Sequence, residues 1–273
     1  MTADTWIRRI GNELLDLAYP PYLYCISCGK IIDESRTYRL CNDCMQAMNW
    51  ITGRHCPVCG KPLAETDPGE SCFACNERAA AGRPHSFDKG HACAGYGACE
   101  QSLIFAMKYG SRSDIGVTLG EIMYDRMAAE YGADVLAGMY DLVIPVPIYR
   151  DKKLRRGYNH ADLITESFAA RAGLRYDPDI VIRTRNTAPM KGLGPEERQY
   201  NIRGAFRLRE SRLPLLSNAS VLLVDDIFTT GATIDEIASL LKEDHVNEKG
   251  ETYQGASRVD FIAYAGGRDM ISK

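Results

Sequence analysis

At 273 residues, 45% of them hydrophobic, the chain exceeds one average domain and has the apolar content for one large domain plus a small module. Its formal net charge is −3, and about four more negative charges follow if eight thiolates hold two Zn2+; bulk basicity is excluded as a reason to bind nucleic acid, so any such role must rest on local patches. The longest apolar runs, such as Leu142 to Ile148 with its two prolines, are far too short to span a bilayer, and no membrane insertion is expected.

Residues 1–21 read as an N-terminal helix, with Trp6, Ile10, Leu14 and Leu17 on one face and Pro20-Pro21 as its stop. Asp4, Arg8, Arg9, Glu13 and Asp16 interrupt the apolar residues and no small-residue cleavage site follows, so the segment does not read as a signal peptide. A cytoplasmic location is expected, where cysteines serve as ligands more often than as disulfides.

Residues 22–80 carry four Cys-x-x-Cys pairs: Cys25 with Cys28, Cys41 with Cys44, Cys56 with Cys59, and Cys72 with Cys75. Twelve residues separate Cys28 from Cys41 and Cys59 from Cys72, which marks an internal duplication. Two residues between cysteines place both sulfurs around one tetrahedral ion, and two pairs close an all-thiolate site with no open position. The module therefore reads as a double zinc ribbon holding two structural Zn2+ ions. Gly29 and Gly60 follow the second cysteine of a pair, where the knuckle must turn tightly. Tandem and cross-braced pairings both satisfy the spacing. From Tyr22 to Ala80 six Lys and Arg stand against seven Asp and Glu, so nothing in its charge favours a phosphate backbone over protein docking or a structural role. Cys93 and Cys99 lie outside the pattern and read as small core hydrophobes.

Ala79 to Pro84, AAAGRP, is a junction into an α/β pattern over residues 85–270. A strand is expected over 92–96 and a helix over 99–109, whose Lys108 reads either as a C-terminal helix cation or as a ligand contact. A second helix is expected from Asp114 to about Tyr131. Leu142 to Ile148 reads as a buried strand followed at once by Arg150, Lys152, Lys153, Arg155 and Arg156, a dense basic patch at a strand end. Asn159 is a credible N-cap for the next helix. Strands are expected over 181–185 and 259–265, and a polar loop from Glu243 to Gly255. Between Arg183 and Arg209 seven Lys and Arg face two acids.

Val221 to Ile234 carries the densest chemistry. Val221, Leu222, Leu223 and Val224 suit a strand buried on both faces, and Asp225 and Asp226 stand where it emerges, the end at which α/β sheets bind ligands. Thr229, Thr230, Gly231, Ala232 and Thr233 then lead into a helix. Gly231 admits close backbone approach, the hydroxyls donate, and free amides at a helix start favour phosphate. Carboxylates beside such a cradle suit a sugar phosphate, accepting from ribose hydroxyls or positioning a divalent metal.

Four apolar residues, two acids, two more apolar residues and T-T-G-x-T resemble the phosphoribosyl-pyrophosphate (PRPP) motif of type I phosphoribosyltransferases. The resemblance implies an α/β fold with a parallel sheet flanked by helices, a 5-phosphate loop at Thr229 to Thr233, and Asp225 with Asp226 at the ribose and Mg2+. It also implies a pyrophosphate loop, which falls on Val146, Pro147, Ile148, Tyr149 and Arg150. Lys108, Arg155, Arg156, Lys191 and Arg198 are candidates for basic or mobile contacts closing over the site.

A double ribbon, Arg156-Gly157-Tyr158-Asn159 after the paired prolines, and Thr187 with Leu193, Arg198, Asn201 and Ala205-Phe206 resemble the ComF family from about Tyr22 to Ala265. That family is associated with DNA uptake in natural transformation, and many members are labelled phosphoribosyltransferases by similarity. His160 and Met190 stand where glutamines are expected, which points to a different acceptor. The resemblance implies transfer from PRPP to a base or amine, or a non-enzymatic competence factor binding single-stranded DNA or competence proteins. The acceptor hood is expected in the ribbon, the region from His85 to Gly110 and the C-terminal tail.

Overall fold

The computed structural model describes residues 23–33, 36–64, 69–110, 112–187, 192 and 194–267, the side chains of 155, 156 and 195 excepted. The expected helix over 4–18, Met190 and Lys191 lie outside the described residues. The chain divides into two compact units, 1–48 and 49–273, so the second ribbon shares a unit with the α/β domain.

The first unit holds one knuckle. The amide of Cys25 donates to Lys30 O at 2.8 Å, Gly29 N to Cys25 O at 2.9 Å, and Tyr24 bridges Ile31. Cys41 then caps helix α1 (Asn42–Ala47). The second unit opens by repeating this: Cys56 N donates to Lys61 O and Gly60 N to Cys56 O, both at 2.8 Å, His55 bridges Pro62, and Cys72 caps α2 (Phe73–Ala80). Gly29 and Gly60 take φ of +74° and +72°, a region that side chains disfavour. The duplication legible in cysteine spacing is thus a duplication of backbone hydrogen bonds.

The second unit continues through β1 (Gly90–Gly95), α3 (Ala98–Tyr109), α4 (Ser113–Tyr131), α5 (Ala133–Ala137), β2 (Leu142–Pro145), α6 (Arg150–Arg156) and α7 (His160–Ala172). It closes with β3 (Val181–Arg183), α8 (Pro195–Ile202), β4 (Phe206–Leu208), β5 (Ser220–Phe228), α9 (Ala232–Lys242), β6 (His245–Val246), β7 (Thr252–Tyr253) and β8 (Arg258–Gly266). Four strands form one parallel sheet in the order β1-β8-β5-β2. Parallel strands need both faces covered, and their sequences show it: Val221 to Val224 are fully buried. Helix α7 packs on β5 and β2 with α4 against it, while α9 packs against β4 and β8.

The outer edge of β1 is sealed by the chain entering from the second ribbon. Ile51 N donates to Cys93 O, Gly95 N to Asn49 O and Gly90 N to Val58 O, at 2.7 to 3.0 Å, which removes the free donors of an edge strand. Gly90 is needed here, because a Cβ would meet the Phe261 ring at 2.2 Å and Cys59 Cα at 3.0 Å.

Three details differ from expectation. The strand at 181–183 pairs antiparallel with β4, outside the main sheet. The polar stretch after Glu243 contains a small hairpin, β6 with β7, where His245 opposes Tyr253. Cys93 is buried as expected, its thiol pushed up to about 12 by burial, whereas Cys99 is only half-buried.

Candidate functional site

The cysteines pair in tandem. The four sulfurs of Cys25, Cys28, Cys41 and Cys44 lie within 4.8 Å of one another, and so do those of Cys56, Cys59, Cys72 and Cys75. Cys28 Sγ is 3.6 Å from Cys41 Sγ, and Cys59 Sγ is 3.6 Å from Cys72 Sγ. That separation is close to the edge of a tetrahedron with metal–sulfur bonds of about 2.3 Å and far from a bonded disulfide. Both donor sets fit a closed structural zinc site.

Toward the carboxyl end of β5 the two neighbouring acids take different partners, with Asp226 N donating to Asp225 Oδ1 at 2.8 Å. Asp225 lines a cleft together with Thr229, Thr230, Gly231 and Arg198. Asp226 is buried, and its Oδ2 meets the Lys108 ammonium and lies 3.8 Å from His160 Nε2. Burial opposes ionisation of both. Lys108 and His160 outweigh it at Asp226, which is held down at about 2, whereas burial and the Asp226 charge push Asp225 well above the carboxylate range.

Gly231 caps α9 with φ +86°, a left-handed turn at the start of the helix, where the first amides have no partner within it. Phe228 O, at the loop's start, is held by Gly267 N at 2.7 Å. Strand β2 places the neighbouring loop: Pro145 stands opposite Val224, and Val146 N donates to Val224 O at 2.9 Å, so Val146 to Arg150 emerges beside Asp225. Val146 and Pro147 are buried, Ile148 and Tyr149 half-buried, and Arg150 is exposed, already the first residue of α6. Asn159 caps α7 through Ala161 N and donates to Val146 O at 3.2 Å, so the expected cap also ties down this loop.

Of the basic candidates, Lys108 is a contact of the acid pair, and Arg198 on α8 reaches Thr229 Oγ1 at 3.3 Å. Arg155 and Arg156 lie on α6, with side chains outside the described residues, as is all of Lys191. Sequence reasoning left out Arg183. Its guanidinium donates to Thr187 Oγ1, lies 5.6 Å from the Phe206 ring centre, and is drawn down by burial and back up by Asp225. Its place in the Arg-rich stretch from Arg183 to Arg209 was the available signal. The segment from His85 to Gly110, named for the hood, supplies Lys108 and His85; β3, β4 and α8 supply Arg183 and Arg198 as well. The tail beyond residue 267 lies outside the described residues.

Residues 14–76 match the double zinc ribbon domain. A DNA utilization protein YhgH of Escherichia coli O6:H1 is 31% identical over 186 residues, 68% of this chain and 77% of that protein. The protein of the same name from Salmonella typhimurium is 29% identical over 202 residues, 74% and 83% of the two chains. Competence protein F of Haemophilus influenzae is 29% identical over 224 residues, 82% and 93%. With a matching double zinc ribbon, a relative 31% identical over 68% of the chain and a competence protein matched over 82% of it, this chain belongs to the ComF family.

Proposed function

We propose that this protein binds PRPP and transfers its phosphoribosyl group to a base or amine in the service of DNA uptake. The observation that supports it most is the pairing of two loops at the carboxyl ends of adjacent parallel strands, Thr229 to Thr233 after β5 and Val146 to Arg150 after β2. The first suits a 5-phosphate, and the second a leaving diphosphate. Asp225, between them, suits the ribose hydroxyls. The acceptor nitrogen forms a bond to ribose C1 and loses its proton, while the bond from C1 to pyrophosphate breaks and its electron pair leaves with pyrophosphate. Positive charge develops on the sugar, so the protein's task is to hold both ends and keep water out, with Arg198 lining the cleft. Mg2+ carried with the diphosphate would neutralise part of its charge, and its approach would favour the ionised form of Asp225, the acid that lines the cleft. The relatives' names, DNA utilization and competence, support the wider role.

A second reading rests on the same cleft. The Arg-rich segment from Arg183 to Arg209 and the engagement of Asp226 by Lys108 suit a non-enzymatic factor that binds single-stranded DNA or a competence protein, with PRPP as a regulator. Calorimetric titration of PRPP with Mg2+ tests the first reading: saturable binding lost in the double variant Asp225→Asn with Asp226→Asn is expected, and no binding would sink it. Product analysis with a panel of nucleobases and amines separates turnover from binding, and competition between PRPP and DNA shows whether one cleft serves both.

A further inference from the structure

Asp235 lies in the first turn of α9, and its amide donates to Gly231 O at 2.7 Å. Its side chain, 10% exposed, accepts from Ser86 N at 2.9 Å, His85 Nδ1 at 2.9 Å and Arg78 Nη2 at 3.0 Å. Arg78 belongs to α2, the helix that starts at Cys72 and carries Cys75, two ligands of the second zinc site. His85, 4% exposed, stacks on Phe87 with ring centres 4.4 Å apart and fills the space beside Gly231, where a Cβ would meet its Cε1 at 2.9 Å. From the other side Lys61, directly after the Gly60 knuckle, places its ammonium 5.3 Å from the centre of the Phe228 ring. Both stems of the loop, Phe228 and Asp235, therefore rest on residues of the second ribbon.

The electrostatics give this contact a purpose. A carboxylate in the first turn stabilises a helix, but the same charge one turn from a bound phosphate repels it unless a cation offsets it. Arg78 supplies that cation at a buried carboxylate, where pairing is needed. We propose that the second zinc ribbon is a working part of the 5-phosphate site, with Arg78 as a positioning residue that orders the Gly231 loop through Asp235 and His85 and neutralises Asp235 against the ligand's charge. This rests on the phosphate reading above.

The experiment uses the full chain loaded with zinc and the variants Arg78→Gln and Arg78→Lys. Zinc content, hydrogen exchange of the amides from Thr229 to Asp235, and affinities for ribose 5-phosphate and for pyrophosphate are measured. Arg78→Gln is expected to keep two zinc ions and the slow exchange of β5 and β8, to speed exchange of the loop amides, and to weaken ribose 5-phosphate about tenfold with pyrophosphate little changed. Arg78→Lys, which keeps the charge, is expected to recover most of that loss. Unchanged loop exchange and unchanged ribose 5-phosphate affinity in Arg78→Gln overturn the inference, and so do equal losses of both anions, which would mark general destabilisation. A wild type that binds no ribose 5-phosphate overturns the phosphate reading and takes this inference with it; a wild type that binds beside an Arg78→Gln that binds equally well overturns the inference alone.

Discussion

Lys108, in the last turn of α3, forms a buried ion pair with Asp226 on β5, while Asp225 beside it lines the cleft. Lys108 is 19% exposed and Asp226 5%, so neither charge is well solvated. With His160 3.8 Å away, Asp226 is held by the protein, and Asp225 is left facing the cleft.

Replacing Lys108 with Met should therefore destabilise the fold in a pH-dependent way. In the wild type Asp226 sits at about 2, so its stabilising ionisation is complete above the unfolded value of about 3.9 and constant through neutral pH. Without Lys108, burial is left to raise that carboxyl above its unfolded value. The folded state then holds a proton that the unfolded state has released, and stability falls as pH rises. The gap to wild type in urea denaturation should widen from pH 5.5 to pH 8, reaching about 3 kcal/mol, the scale for breaking a buried pair. Equal gaps at both pH values would mean that Asp226 stays ionised without Lys108.

The two acids should fail differently. Asp225 is pushed toward its neutral form by burial and by Asp226, so Asp225→Asn removes little that the fold uses. It does remove the carboxyl acceptor offered to ribose hydroxyls, worth about 0.5–1.5 kcal/mol, or roughly 2- to 13-fold in PRPP affinity. Asp226→Asn strands Lys108 and should lower the melting temperature first. Calorimetry and thermal melts on both variants check this, and a melting loss confined to Asp225→Asn would reverse the assignment.

Much of this arrangement was legible in the chain. Cysteine spacing gave away the duplication, because a knuckle is a local structure whose turn needs Gly29 and Gly60. The buried run before Asp225 and the glycine in TTGAT located a strand and a helix start for the same reason, although the strand runs on through both acids to Phe228. Contacts between distant segments leave no such trace. Nothing in the local pattern near Arg78 or His85 announces Asp235, some 150 positions away, and nothing in the spacing says that the second knuckle folds against β1. Arg183 was missed because a strand of three residues pairs with another of three outside the main sheet, too short for alternation to speak. Asp225 and Asp226 read as an equivalent pair, and nothing in the local pattern shows that Lys108 and His160 meet the second.

Loss of one ligand at the second zinc site should be felt throughout the sheet. Cys56, Cys59, Cys72 and Cys75 are buried in the same core as Phe261 and Ile237, and Cys59 backs directly on Gly90. Because metal binding at such a site is folding free energy, Cys59→Ser should lower zinc from two ions to one per chain by elemental analysis and abolish or broaden the cooperative melt of the α/β unit. A sharp melt at the wild-type temperature with one zinc would show that the sheet does not depend on this metal.

Gly231→Ala separates backbone strain from crowding. A left-handed φ costs an alanine about 1–2 kcal/mol wherever it occurs, and Gly250, at φ +80° with nothing within 4 Å of its would-be Cβ, isolates that cost. At Gly231 the same φ of +86° comes with His85 Cε1 at 2.9 Å and Phe228 Cε2 at 3.2 Å, two buried rings that must shift before a methyl fits. Gly250→Ala should lose the strain energy alone. Gly231→Ala should lose more in chemical denaturation and should also weaken PRPP, since the displaced His85 holds Asp235 and the start of α9. Equal destabilisation in the two variants would mean that His85 yields freely and is no wall for the loop.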